Sequence, residues 1–151
     1  MALFHGIERL VRTSCIQMAT IGRLHVVLIH FPIALAHVAA GAELGDVFSA
    51  DERWRMVASV NTRLAAAFAV VAAVLGWELA AGSAGPLLDW HRWIGTGAAV
   101  MTVVSAMLVP RNALHERRWP YRASLLAAAL LIGVTAHLGG LLVWGTDFFN
   151  S

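Results

Sequence analysis

The sequence has no lysine and only one cysteine, Cys15, among its 151 residues. A lone cysteine excludes an internal disulfide, a thiolate metal cluster and a Cys-x-x-Cys redox motif. Charge is scarce: 13% of residues are charged, where a soluble domain carries about 25%. The basic residues are all arginine and scattered, and the net charge is +2. No block or stripe of them forms, which argues against nucleic acid as a partner. There is no nucleophile elbow, phosphate loop or paired-carboxylate site, so the chain is not expected to be an enzyme in its own right. The first 22 residues are too polar for the apolar region of a signal peptide, so the first apolar block is expected to be an uncleaved anchor.

What is abundant is apolar: 59% of residues are hydrophobic and mean hydropathy is +0.70. These residues arrive in long blocks, and a transmembrane helix needs about 20 of them. Four blocks qualify, at 24–44, 57–81, 93–109 and 123–145. Asp46–Arg55, Gly82–Pro86 and Arg111–Arg122 separate them. Such short connections predict antiparallel neighbours, hence an all-α integral membrane four-helix bundle running up-down-up-down over residues 23–146. Trp54, Trp77, Trp90, Trp93, Trp119 and Trp144 fall near helix ends, where amphipathic rings anchor at the interface.

Before the bundle, Leu3, Phe4, Ile7, Leu10, Val11, Ser14 and Met18 recur at three and four. This spacing predicts an N-terminal amphipathic helix on the membrane surface within residues 1–22, and a short tail follows at 147–151. Arg9, Arg12, Arg23 and Arg92 lie on the side of the termini. Arg53, Arg55, Arg63, Arg111, Arg117, Arg118 and Arg122 lie on the other. The positive-inside rule then places both termini in the periplasm, with the chain in a bacterial inner membrane.

Ionisable groups inside a bilayer are functional candidates, and five histidines lie in or beside the blocks: His25, His30, His37, His91 and His137. At 1.5 Å per residue, His30 and His137 lie roughly 10 and 12 Å below the same face. His25 and His91 lie near its rim, and Glu78 is on the same side. Ala34, Gly95, Gly133 and Gly140 accompany these histidines at spacings of three or four. They would open a slot for a flat group, or simply let membrane helices pack closely. Pro32 removes the bond to the Leu28 carbonyl and predicts a kink beside His30.

A b-type haem matches paired imidazoles and an apolar slot. By depth, His30 and His137 are the expected axial pair. His25 and His91 are then left for the propionates, a second haem or a metal, with Arg23 and Arg92 at the rim to receive propionates. The same groups, with Glu78, would also suit copper, iron or zinc. A third reading needs no cofactor and has the histidines bridge helices by hydrogen bonds. His37 lacks a partner at its level and reads as a packing or proton-relay residue.

The stretch from Leu24 to Leu35 (LHVVLIHFPIAL) resembles the HPxxVHFPIAL opening of a bacterial membrane-protein family catalogued as a domain of unknown function. Gly76-Trp77-Glu78, His91-Arg92 and the His137–Val143 segment (HLGGLLV) extend the resemblance to Gly145. Val26 departs from it, standing where the family has proline. The resemblance implies a four-helix membrane fold, with fusions to c-type cytochrome domains among its members. It carries over onto His25, His30, His91 and His137 but not His37. Together these features predict an electron-transfer subunit holding one or two haem b groups within a larger membrane redox complex. Its partners would be lipid, a c-type cytochrome and the quinone pool, with quinone chemistry near Glu78 left open. The alternatives are a metal-binding membrane protein and a cofactor-free accessory subunit of a respiratory or photosynthetic complex.

Overall fold

The computed structural model describes residues 21–110 and 118–145, all in helices and short connections. The expected amphipathic segment, Cys15, His5, His115 and the C-terminal tail lie outside the described residues. The order is α1 (Leu24–Leu28), α2 (His30–Ser49), α3 (Glu52–Leu79), α4 (Pro86–Met107) and α5 (Trp119–Trp144). Helices α1 and α2 form one rod interrupted at Ile29, which keeps helical dihedrals. Pro32 accounts for the interruption, because it has no N–H to offer the Leu28 carbonyl.

The ends of the helices follow local chemistry. Asp51 caps α3, its side chain accepting from the Arg53 N–H at 2.9 Å. Pro86 and Pro120 occupy the first turns of α4 and α5, where a missing N–H costs nothing. Gly82, at φ 79°, makes the left-handed turn after α3. The polar stretch expected to close the first block is partly helical, since α2 runs on to Ser49. Helix α4 begins earlier than expected and takes in Trp90, His91 and Trp93.

The rod α1–α2 packs on α3, α3 on α4, α4 on α5, and α5 back on α2, closing a ring. Its interior is built from small side chains. Ala36, Ala39, Ala58, Ala65 and Ala128 are fully buried, as are Thr62, Thr102 and Ser105. The three hydroxyls donate to carbonyls one turn back in their own helices, so each is satisfied. Large apolar residues point outward instead, with Phe48 81% and Leu130 63% exposed. This inversion of a soluble core suits lipid, because small residues let membrane helices approach closely.

Three stretches are long and apolar enough to cross a membrane: Leu24–Ser49, Glu52–Leu79 and Trp119–Trp144. Helix α4 is not among them, and its first turns hold Trp90, His91, Arg92 and Trp93.

One end of the ring is closed by charge. Glu43 and Asp46 of α2 are both 4% exposed. Asp46 takes Arg55 of α3 at 2.7 Å and Arg122 of α5 at 2.7 Å. Glu43 takes Arg122 at 2.8 Å and also pairs with Arg118. Beside this clamp, the buried Tyr121 hydroxyl bonds Thr62 at 2.8 Å. Three helices are thereby tied through five ionised side chains.

Candidate functional site

At the other end of the ring, two imidazoles meet in the interior. His25 stands on α1 and leans on α3. Its Nδ1 lies 2.7 Å from the Ala72 carbonyl oxygen. The ring rests on Gly76, where an added Cβ would sit 2.9 Å from its Cε1. His91 repeats this arrangement on the second helical pair. Its Nδ1 lies 3.1 Å from the Thr135 carbonyl of α5, and its Cε1 would be 3.1 Å from a Cβ on Gly139. In each pair the glycine follows the accepting carbonyl by four residues, one helical turn. Both rings are half-buried, their centroids are 6.2 Å apart, and their planes cross at 87°.

These contacts fix the tautomer. A carbonyl oxygen only accepts, so each Nδ1 carries a proton, and Nε2 of the neutral ring keeps its lone pair. A metal-binding histidine is held in the same way, one nitrogen anchored to a backbone carbonyl and the other free to ligate.

Arg92, beside His91, is committed to structure. It donates to the Ala80 carbonyl at the end of α3 and lies 4.9 Å from the centre of the Trp77 ring. It also sits 3.9 Å from Asp89. Trp77 in turn donates to the Thr96 hydroxyl at 3.0 Å and meets Trp93 edge-on at 5.4 Å. The Arg92 Nε is buried without a hydrogen-bond partner, so one donor remains near the rim where a propionate was expected.

The deep histidines lie elsewhere. His30 and His137, expected to face each other as the axial pair, are both exposed on outward faces of α2 and α5. The His30 Nδ1 lies 3.2 Å from the Val27 carbonyl of its own helix turn. His37 is exposed too, its Nδ1 2.7 Å from the Ile33 carbonyl. Glu78 and Arg23 are exposed. Gly133 and Gly140 border open space, whereas a Cβ on Gly95 would press on the Thr135 methyl at 3.1 Å.

Helix geometry explains the division. Pro32, Ala36, Ala39, Glu43 and Asp46 are buried and recur at four and three; seven residues before Pro32 stands His25, so it shares that inner face. His30, Ala34, His37 and Gly41 recur with the same spacing on the opposite face. Sequence reasoning missed Gly76, Gly139 and the two accepting carbonyls. The signal available for them was a glycine at the same depth as a rim histidine on the following helix. Among the described residues, no group of three or more His, Cys, Asp or Glu gathers as a metal cage. There the facing imidazoles are the donor set.

A family model described as a predicted membrane protein, DUF2231, matches residues 23–149, and the chain belongs to that family. No curated protein and no solved structure matches it.

Proposed function

We propose that the chain is a membrane electron-transfer subunit that crosses the bilayer four times and holds a b-type haem between His25 and His91. The observation that carries this reading is the close, edge-on imidazole pair with both Nδ1 atoms anchored. An imidazole nitrogen sits about 2 Å from its metal. Adding about 1 Å from nitrogen to ring centre, two imidazoles that share one metal would have centroids about 6 Å apart at most. The observed separation is 6.2 Å. Two protein ligands suffice for haem iron, whereas structural zinc takes four. The chain's own part is to hold two imidazoles in place through Ala72 and Thr135, back them with an alanine-rich interior, and present a rim arginine. Haem, when bound, supplies a one-electron couple that an apolar, water-poor site tunes.

The four crossings alternate in direction. The start of α1 meets the end of α3 through His25 and Gly76, and the start of α4 meets the end of α5 through His91 and Gly139. Helix α4 is then a span by packing, enclosed between α3 and α5. The arginine bias puts the imidazole end outside, toward a periplasmic c-type cytochrome or the quinone pool, and the charge clamp inside.

The test is an absorption spectrum of protein purified from native membranes, before and after dithionite. A reduced b-type α band in stoichiometric yield is expected. Absence of a Soret band refutes haem, and metal analysis of the same sample then separates a copper, iron or zinc site from a cofactor-free subunit. The glycine contacts give a second measurement. Gly76→Ala pushes a methyl against the Cε1–Nδ1 edge of the His25 ring, the edge that the Ala72 carbonyl holds. Disturbing the contact that orients a ligating imidazole costs about tenfold or more in affinity, to be read by titrating haem into apo-protein. Gly97→Ala, where a Cβ meets nothing within 4 Å, is expected to leave that affinity unchanged.

A further inference from the structure

Inside the ring an imidazole rests on a bare glycine twice, and the parts of a third such contact lie outside it. His30, Ala34, His37 and Gly41 form an exposed seam on α2. Leu126, Leu130, Gly133 and His137 form a seam of the same spacing on α5, and a Cβ on Gly133 would meet nothing within 4 Å.

Both seams border one groove. On α2, Ala40 packs against the cluster that Ala39 forms with Val109 and with Tyr121 and Leu125 of α5, while Phe31 stacks on Phe68 of α3 at 4.6 Å. The His37 seam therefore opens on the flank beside α5. On α5, Gly133 shares a stripe with Arg122, which reaches Glu43 of α2. The Gly133 seam therefore opens beside α2.

The depths correspond as well. His25 lies level with Gly139 through His91, and Asp46 with Arg118. His30 is then level with Gly133 and Val134, and Ala34 with Leu130. A bulky residue on one seam is matched by a small one on the other, yet both face outward and cannot meet within one chain.

We propose that this groove binds a second copy of the chain, α2 of each copy lying along α5 of the other about a twofold axis parallel to the bundle. His30 then seats on Gly133 of the second copy, and Leu130 of the second copy seats on Ala34. Lipid provides no hydrophobic drive for helix association, which rests on close packing and interhelical hydrogen bonds. The groove offers both. Three imidazoles exposed within the span are costly in hydrocarbon, and the His30 contact to Val27, at 3.2 Å, is easily exchanged. The area is adequate too. The rod and α5 span 26 residues each, about 40 Å by the helical rise. Two adjacent helices, each about 10 Å across, then present a face about 20 Å wide and about 800 Å² in area, which is what one partner contributes to a stable interface. This inference is independent of haem.

The test uses full-length chains in a Cys15→Ser background, reconstituted together in bilayers. One carries Ala34→Cys and the other Leu130→Cys, with different tags. Oxidation is expected to give a cross-linked species of doubled mass bearing both tags. Val70→Cys with Val100→Cys, exposed on α3 and α4, is expected to give none. Gly133→Leu is expected to weaken dimerisation about tenfold or more by overpacking. It should leave the helical content of the single chain unchanged by circular dichroism, because a Cβ at that position meets nothing within 4 Å. A monomeric mass in native-lipid nanodiscs overturns the proposal. Cross-linking only through Val70 and Val100, or capture of a different protein by the Ala34→Cys chain, does so equally.

Discussion

Replacing His25 or His91 with alanine is expected to abolish the reduced α band and the Soret peak, while His30→Ala and His137→Ala keep both. The two pairs lie within a few residues of each other in depth, so proximity to the rim does not distinguish them. Direction does. His25 and His91 point inward, each with Nδ1 held by a carbonyl of the neighbouring helix at 2.7 and 3.1 Å. His30 and His137 are exposed on outward faces. Removing either imidazole would take away one of the two protein groups proposed to hold the iron. His25→Gly leaves a cavity of imidazole size on Gly76, and added imidazole is expected to restore the band. Loss of the band in His30→Ala or His137→Ala, with retention in His91→Ala, would refute the inner pair as the ligands.

The second large effect belongs to the charge clamp. Asp46→Ala removes a carboxylate whose side chain is 2% exposed, takes from Arg55 its ion pair and leaves Arg118 and Arg122 to share Glu43. Breaking a buried pair from one side costs about 3–5 kcal/mol, because the remaining charge stays desolvated. For a chain of this size that is a fall in melting temperature on the order of 10 °C, measurable by the thermal shift of the purified protein. Asp46→Asn keeps the shape without the charge and is expected to recover only part of the loss. A shift indistinguishable from that of an exposed control such as Asp89→Ala would show that the clamp contributes little.

The four helices were legible because a bilayer demands long apolar blocks, and every block predicted from sequence became a helix. Their ends were less so. Asp46 reads as the start of a polar loop, yet it lies inside α2, because an internal partner was available on α5. Which face of each helix turns inward was not legible at all. His25 with Pro32, Ala36 and Ala39 has the same three-and-four spacing as His30 with Ala34, His37 and Gly41. In water the more apolar seam would be the buried one. In lipid that clue disappears, because the surroundings of the bundle are as apolar as its interior. Depth, which chain length alone supplies, grouped the histidines correctly at one end. The inward direction came from partners dozens of residues away: Gly76 and Ala72 for His25, Gly139 and Thr135 for His91.

The clamp also has a direction in time. Glu43 and Asp46 are synthesised with the first span, and Arg55 follows within a few residues, but Arg118 and Arg122 come only with the last. Until then Glu43 has none of its native partners and Asp46 has one of three. The first span therefore enters the membrane with carboxylates that only completion of the chain can neutralise. A ribosome stalled before α5 would hold a hairpin whose buried carboxylates still lack two of the three arginines that pair with them.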